Sequence, residues 1–337
     1  MQLDTAKLNR YLEARLDGFK GLQQASKFGD GQSNPSFLLH ASSGEYVLRM
    51  QPLGELLKSA HAVDREFRVI GALQHSEVPV AQALHFCDDR DVLGSLFYIM
   101  SYEAGRIFWD PALPDLSRPE RSNIYDEMNR VLAALHDIDI DAVGLADYGK
   151  PGNYFERQVG RWSKQYRASE TSLIPAMEKL IDWLPQNLPA DDARVSLIHG
   201  DYRIDNIIFE SNACRARALL DWELSTLGHP FADLAYQCMQ WRLPQDAVIA
   251  GLGDSDRGKL GIPDEAEYVA RYCQRRGLSA IANWNFYLVF SFFRFAAILQ
   301  GVLKRALDGN ASSEKAFAYG ALAPILCDQA IDILDRG

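Results

Sequence analysis

The stretch Leu197-Ile198-His199-Gly200-Asp201-Tyr202-Arg203-Ile204-Asp205-Asn206-Ile207-Ile208-Phe209 constrains this chain more than any other. A short apolar run stops at His199, a polar loop carries Asp201 and Asn206, and a second apolar run begins at Ile207. A further apolar run, Ala218-Leu219-Leu220, ends in Asp221-Trp222-Glu223. A loop held between hydrophobic anchors fixes its polar groups in space. A carboxylate able to act as a base, an amide and a second carboxylate are the side chains that magnesium-dependent phosphoryl transfer needs. The segment therefore points to phosphoryl transfer onto a small molecule.

The rest of the chain must supply a nucleotide site and an acceptor site. At 337 residues it exceeds the usual size of one hydrophobic core, so two lobes are expected. A net charge of −10 gives no general attraction for nucleic acid or anionic membrane, and neither is expected as a partner. The five cysteines are odd in number and form no C-x-x-C pair, which argues against a disulfide framework or a zinc site. A reducing, cytoplasmic setting is the expectation. The N-terminus shows no basic region followed by an apolar core, so no signal peptide is expected. Phe286 to Leu303 is the most apolar segment, but Arg294 and Gln300 lie inside it, so it reads as a buried helix and not a membrane span.

Taken in order, Asp4 can cap a helix running to about Leu16, with Leu8, Leu12 and Leu16 on one face. Strand-like runs follow at Leu22–Phe28, Pro35–Ala41 and Tyr46–Met50, the last two joined by the turn Ser42-Ser43-Gly44. A helix is expected over Ala60–Leu73, then strands over Pro79–Phe86 and Leu96–Met100, completing an antiparallel sheet of about five strands. Ala104-Gly105 breaks the sheet and sets the expected boundary between an N-lobe, 1–104, and a C-lobe, 105–337. Helices are expected over Glu120–His136, Tyr154–Arg167, Pro175–Leu184, Ala232–Trp241, Glu265–Arg275, Asn283–Ala306 and Glu314–Leu334. Pro244 to Pro263 reads as a loop. Periodicity alone gives an α+β chain with two lobes.

Three motifs sharpen this. His199-Gly200-Asp201-x4-Asn206, Leu220-Asp221-Trp222-Glu223 and Gly228-x-Pro230-x2-Asp233-Leu234-Ala235 together resemble the aminoglycoside phosphotransferase and choline kinase superfamily. The fuller wording is similar to the subgroup associated with acyl-CoA dehydrogenases. The resemblance implies a protein-kinase-like bilobal fold, with a small antiparallel β N-lobe and a large, mainly helical C-lobe. It also implies ATP as donor, with GTP as the open alternative, and Mg²⁺. Asp201 matches the catalytic aspartate, which would orient the acceptor hydroxyl and take its proton. Asn206 and Asp221 match the magnesium ligands, since hard Mg²⁺ takes oxygen donors and keeps several waters. Asp233 would accept hydrogen bonds from the catalytic-loop backbone, and His199 would hold that loop. Arg203 has two readings of equal weight: a cation that neutralises the transferring group, or a solvated surface arginine. Asp205 reads as a turn residue and Glu223 as a neighbour of the metal ligands.

In the N-lobe, Gly29-Asp30-Gly31-Gln32-Ser33-Asn34 joins two strands as a nucleotide-covering loop would, with Gly31, Gln32, Ser33 and Asn34 near the phosphates. Arg49 stands where kinases usually place a strand lysine, and Glu66 is its expected partner. Met100, Ser101 and Glu103 match the hinge, where adenine would meet main-chain groups.

The resulting expectation is a phosphotransferase acting on a hydroxyl, with a hydroxyacyl or hydroxyacyl-CoA compound as the suggested acceptor. Aromatic residues mixed with Arg157, Arg161, Arg167, Arg242 and Arg294 suit an acyl chain with an anionic group better than a polycation. The subgroup suggests a functional link to acyl-CoA dehydrogenases. The alternatives are a nucleotide-binding regulatory module without turnover, for which Arg49 is the only support, and an aminoglycoside kinase. A metal-dependent hydrolase using His199, Asp201, Asp221 and His229 lacks the usual ligand spacing.

Overall fold

The computed structural model describes residues 3–29, 34–53, 62–253, 255–309 and 316–336. The chain opens with α1 (Thr5–Arg15), β1 (Leu22–Lys27), β2 (Ser36–Ala41), β3 (Gly44–Met50), α2 (Val63–Leu73), β4 (Ala83–Cys87), α3 (Arg90–Leu93) and β5 (Phe97–Ser101). It continues with α4 (Arg118–His136), α5 (Tyr154–Ser169), α6 (Pro175–Gln186), β6 (Ser196–Ile198), β7 (Ile207–Phe209), β8 (Ala216–Leu219) and β9 (Thr226–Gly228). It closes with α7 (Phe231–Gln240), α8 (Arg257–Leu260), α9 (Glu265–Arg275), α10 (Trp284–Leu307) and α11 (Ala316–Arg336).

Two units divide the chain. The first holds Met1–Arg106, Ala142–Leu145 and Asn206–Ser225, and the second holds the remainder. The sequence places one cut after residue 104. The observed first unit ends near there but also takes in two later segments, so Asn206 and Asp221 belong to it while Asp201 belongs to the second.

In the first unit the strands run antiparallel in the order β1-β2-β3-β5-β4. Strand periodicity of two decides what each face carries. Phe37 and Leu39, Leu48 and Met50, and Phe97 and Ile99 share one buried face with Leu8 and Leu12 of α1. Asp4 starts that helix by accepting from Lys7 N. Arg49 and Tyr98, directly paired across β3 and β5, therefore point to the other face. There α2 buries Val63, Glu66, Val69, Ile70 and Leu73, and Phe67 packs on the rings of Phe86 and Tyr98.

The hairpin β7–β8 is fastened to the same unit at two places. Arg106 and Phe209 exchange main-chain hydrogen bonds of 2.8 and 2.9 Å, and Leu219 N donates to Pro79 O at 2.8 Å. The first approach requires glycine, because a Cβ on Gly105 would lie 2.2 Å from Phe209 O. The second explains a difference from the sequence reading. Pro79 lacks an N–H and its carbonyl serves β8, so β4 begins at Ala83 and not at Pro79.

The second unit is built on α10. Fifteen of its residues from Phe286 to Gly301 are buried, and it packs against α5, α7 and α11. Its apolar character is thus spent on protein packing, as the internal Arg294 and Gln300 suggested. Capping boxes at Ser117/Glu120 and Asp264/Glu267 start α4 and α9. The short pieces α3, α8 and β9 lie outside the sequence expectation, being too brief for a periodic signal.

Candidate active site

Two groups of side chains correspond to the motifs, one in each unit. In the first unit Arg49 is the centre. Its Nε lies 2.7 Å from Glu66 Oε2, its Nη2 2.6 Å from Asp221 Oδ1 and 3.8 Å from Glu223 Oε2. The Nε contact is one of charge and not an aligned hydrogen bond, since that N–H lacks an acceptor along its axis. Glu66 is buried and also accepts from Asn34 Nδ2 at 2.5 Å and Tyr98 OH at 3.2 Å. Burial raises the Glu66 carboxyl above the ordinary carboxylate range, and Arg49, Asn34 and Tyr98 oppose that. Burial likewise works against the Arg49 charge, but Glu66 and Asp221 more than restore it.

Asp221 sits in the left-handed region, with φ 62° and ψ 63°, where a non-glycine residue is strained. The neighbours hold it there. Leu220 N donates to Asn206 O at 2.8 Å, Trp222 Nε1 donates to Leu219 O at 2.9 Å, and Ser225 caps the turn through Trp222 O. The same hydrogen bond ties Asn206 to the strand end that carries Asp221. The Asp221 side chain keeps about a third of its surface exposed, at 32%.

The donor set fits magnesium. It offers one carboxylate and one amide, both oxygen ligands, on main-chain segments that are hydrogen-bonded to each other. Among the described residues no three His, Cys, Asp or Glu side chains gather into a metal cluster. That pattern suits a hard ion completed by phosphate and water. The two imidazoles of these motifs are otherwise engaged: His199 Nδ1 accepts from Asp201 N, and His229 faces Asp192 and Phe231 N.

In the second unit Asp201 accepts from Tyr236 OH at 2.8 Å through Oδ1. The loop around it is clamped from three sides. The buried Asp233 accepts from His199 N at 2.6 Å and Gly200 N at 2.9 Å. Arg294 Nη2 donates to Gly200 O at 2.7 Å, and Tyr202 OH donates to Met128 O at 2.7 Å. Burial alone would raise the Asp233 carboxyl, but His136 and the His199 amide hold it below the ordinary range. Burial depresses the His136 imidazole, so it serves as a neutral group with Nε2 3.4 Å from Asp233 and Nδ1 2.7 Å from Tyr272 OH. Arg203 is forked onto Asp205, by Nε to Oδ1 at 2.9 Å and by Nη2 to Oδ2. The arginine is thus three-quarters buried and paired, not solvated, and Asp205 is its counter-ion and not merely a turn residue.

The remaining expected positions are placed as follows. Gly31, Gln32 and Ser33 lie outside the described residues. Asn34 turns its amide inward to Glu66. Met100 and Ser101 end β5. Ser101 Oγ donates to Glu103 Oε1 at 2.6 Å, and Glu103 Oε2 accepts from Arg217 Nε at 2.7 Å. Of the arginines grouped with the acceptor, Arg167 pairs with Glu178, Arg242 with Glu265, and Arg157 binds main-chain carbonyls. Two residues that sequence reasoning did not place at the loop are Tyr236 and Arg294. Tyr236 lies three positions after Asp233, on the same face of α7, a spacing that carries the signal. Arg294 announces itself as a lone charge inside an apolar helix.

The sheet, the helical remainder and the loop between hydrophobic anchors define a protein-kinase-like fold of the small-molecule phosphotransferase class. A model of the phosphotransferase enzyme family matches residues 24–283, and the chain belongs to that family. A Ralstonia eutropha protein provisionally assigned as an aminoglycoside phosphotransferase is 47% identical, with a TM-score of 0.91 over 99% of each chain. Aminoglycoside phosphotransferase APH(4)-Ia, solved with AMP-PNP and hygromycin B, shares the fold at a TM-score of 0.63 and 15% identity, over 97% of this chain and 98% of that one. Among curated relatives, acyl-CoA dehydrogenase family member 10 of Mus musculus is 47% identical over 100% of this chain and 32% of its own length. Acyl-CoA dehydrogenase family member 11 of Homo sapiens is 41% identical over 99% of this chain and 44% of its own. The chain therefore spans less than half the length of these relatives.

Proposed function

We propose that this chain is an ATP- and Mg²⁺-dependent phosphotransferase that moves the γ-phosphoryl group to a hydroxyl of a small hydroxyacyl compound, either a hydroxy acid or its CoA thioester. The observation that carries this reading is the state of Asp201: one carboxylate oxygen is fixed by Tyr236 OH, in a loop clamped by Asp233. A carboxylate held so can align an acceptor hydroxyl and receive its proton as the phosphorus–oxygen bond forms. Arg49 would hold the α- and β-phosphates, positioned by Glu66, and Asn206 and Asp221 would hold the metal. Bound magnesium supplies charge neutralisation at the phosphates. Arg203 would add positive charge beside Asp201, tempered by Asp205. Arg49 in place of lysine gives no support to a module without turnover, because it keeps the ion pair with Glu66 at 2.7 Å. The names of the longer relatives suggest that the product passes to an acyl-CoA dehydrogenase.

The test is phosphorylation by the purified chain of a panel of hydroxy acids, their CoA thioesters, amino alcohols, sugars and aminoglycosides, with ATP and with GTP. Asp201→Asn is expected to lose about 10³-fold or more in turnover while keeping nucleotide affinity. Asp221→Asn, which tolerates the left-handed backbone, is expected to weaken Mg·ATP binding itself in calorimetry. Nucleotide binding by the wild type with no phosphorylated product from any acceptor would overturn the proposal in favour of a regulatory module.

A further inference from the structure

Arg294 is the only arginine or lysine buried as a whole residue among the described residues, at 6% exposure. A buried cation ordinarily stands opposite a carboxylate, because an unpaired charge is costly to desolvate. Among the described residues no carboxylate lies within ion-pair distance of Arg294. Its partners are the carbonyl of Gly200 at 2.7 Å and two aromatic faces, Tyr236 at 5.3 Å and Trp162 at 5.7 Å from the guanidinium carbon. Aromatic faces steady a cation without using its N–H groups. Nη2 thus serves the loop, while Nε and Nη1 donate to no protein group among the described residues and are not sealed from solvent. The carbonyl it holds belongs to the residue before Asp201, and the ring it stacks on belongs to the tyrosine that fixes Asp201. A second guanidinium, Arg161, lies 5.3 Å from the same Trp162 ring.

We propose that Arg294 is the anion-binding residue of the acceptor site: its free N–H groups take an anionic oxygen of the molecule whose hydroxyl is presented to Asp201. The inference rests on the phosphotransferase reading above and narrows it, since it selects acceptors with a negative charge and disfavours polycations. The anionic oxygen has two possible sources, the carboxylate of a free hydroxy acid or a phosphate of a CoA thioester.

The experiment compares medium-chain hydroxy acids, their CoA thioesters and their uncharged N-acetylcysteamine thioesters as acceptors for the wild type, Arg294→Gln and Arg294→Lys, with Mg·ATP. The expected result is a wild-type preference for a charged acceptor. Arg294→Gln should lower kcat/KM for that acceptor by about 10- to 100-fold more than for the neutral thioester. Arg294→Lys should restore part of the difference. Loss confined to free acids identifies the carboxylate, and loss confined to CoA thioesters identifies the phosphate. An equal loss on charged and neutral acceptors would mean that Arg294 only holds Gly200, and overturns the proposal. Should the variants not fold, equal wild-type kcat/KM for charged and neutral acceptors overturns it as well. If the wild type phosphorylates none of these compounds, the functional reading fails separately. Stabilisation of the wild type, but not of Arg294→Gln, by hexanoate in thermal unfolding then supports the anion site, and equal response of the two overturns it.

Discussion

The phenol of Tyr236 is buried and points its hydrogen at Asp201 Oδ1 over 2.8 Å. Burial and the adjacent Asp201 charge hold its pKa well above the ordinary tyrosine value, so it remains a donor throughout the working range. In the proposed reaction its role is to position the carboxylate that receives the acceptor's proton. A hydrogen bond to a charged group is worth about 1.5–3 kcal/mol. Tyr236→Phe should therefore lower kcat by about 10-fold while KM for ATP stays unchanged in steady-state kinetics. An unaltered kcat, or an equal change in nucleotide affinity, would remove Tyr236 from this role. At this scale the sequence was informative about residue type and, beyond the Arg49–Glu66 pair and the Asp233 contacts with the loop backbone, poor about partner. Asp201, Asn206, Asp221 and Asp233 stand out by spacing, because the loop and strand ends that carry them are short and local. That Arg203 would fork onto Asp205, or that Asn34 would turn to Glu66 across 32 positions, has no sequence signature. Both depend on side-chain rotamers chosen by the packed unit.

Among the elements, α7 does most to shape the loop. Its Asp233 takes two consecutive main-chain amides, from His199 and Gly200, and Tyr236 one turn later takes Asp201. A single apolar helix thereby sets both the backbone and the side chain of the loop. Asp233→Asn keeps the size of the group but replaces one acceptor oxygen with a donor, which faces a buried N–H. The expected cost is about 2 kcal/mol or more in urea unfolding, together with loss of turnover. A variant as stable as the wild type would show that the amides find other acceptors. Long helices were legible here: α9 spans Glu265–Arg275 as expected, α10 differs from expectation by one residue at each end, and α11 runs two residues further at its C-terminal end, its expected start at Glu314 lying outside the described residues. Edges set by distant contacts were not. The start of β4 and the need for glycine at 105 are both decided by the hairpin β7–β8, more than a hundred residues later.

For the whole molecule, the return of Asn206–Ser225 to the first unit follows from pairing that no local window records. The chain as a whole also carries a pH dependence that its sequence does not reveal. Burial lowers the pKa of His85, His136 and His229. In the fold each gives up its proton more readily than in the unfolded chain, where it titrates near the ordinary value of about 6.5. Between the depressed folded value and the unfolded one, the unfolded state binds more protons, so stability rises with pH there and falls on acidification. The groups facing these imidazoles do not reverse the sign: Asp233 and Asp192 support protonation of His136 and His229, yet burial prevails in both. Asp233, itself depressed, adds loss of stability in the same direction at still lower pH. Thermal unfolding midpoints should therefore drop between pH 7.5 and 5.5. His136→Gln should unfold at a lower midpoint at pH 7.5, having lost its contacts with Tyr272 and Asp233, but with a shallower slope against pH. Each histidine removed should flatten that slope by up to about 1.4 kcal/mol per pH unit. A slope identical to the wild type would show that His136 takes its proton as readily in the folded chain as outside it, and that the polar network around Asp233 admits a second charge.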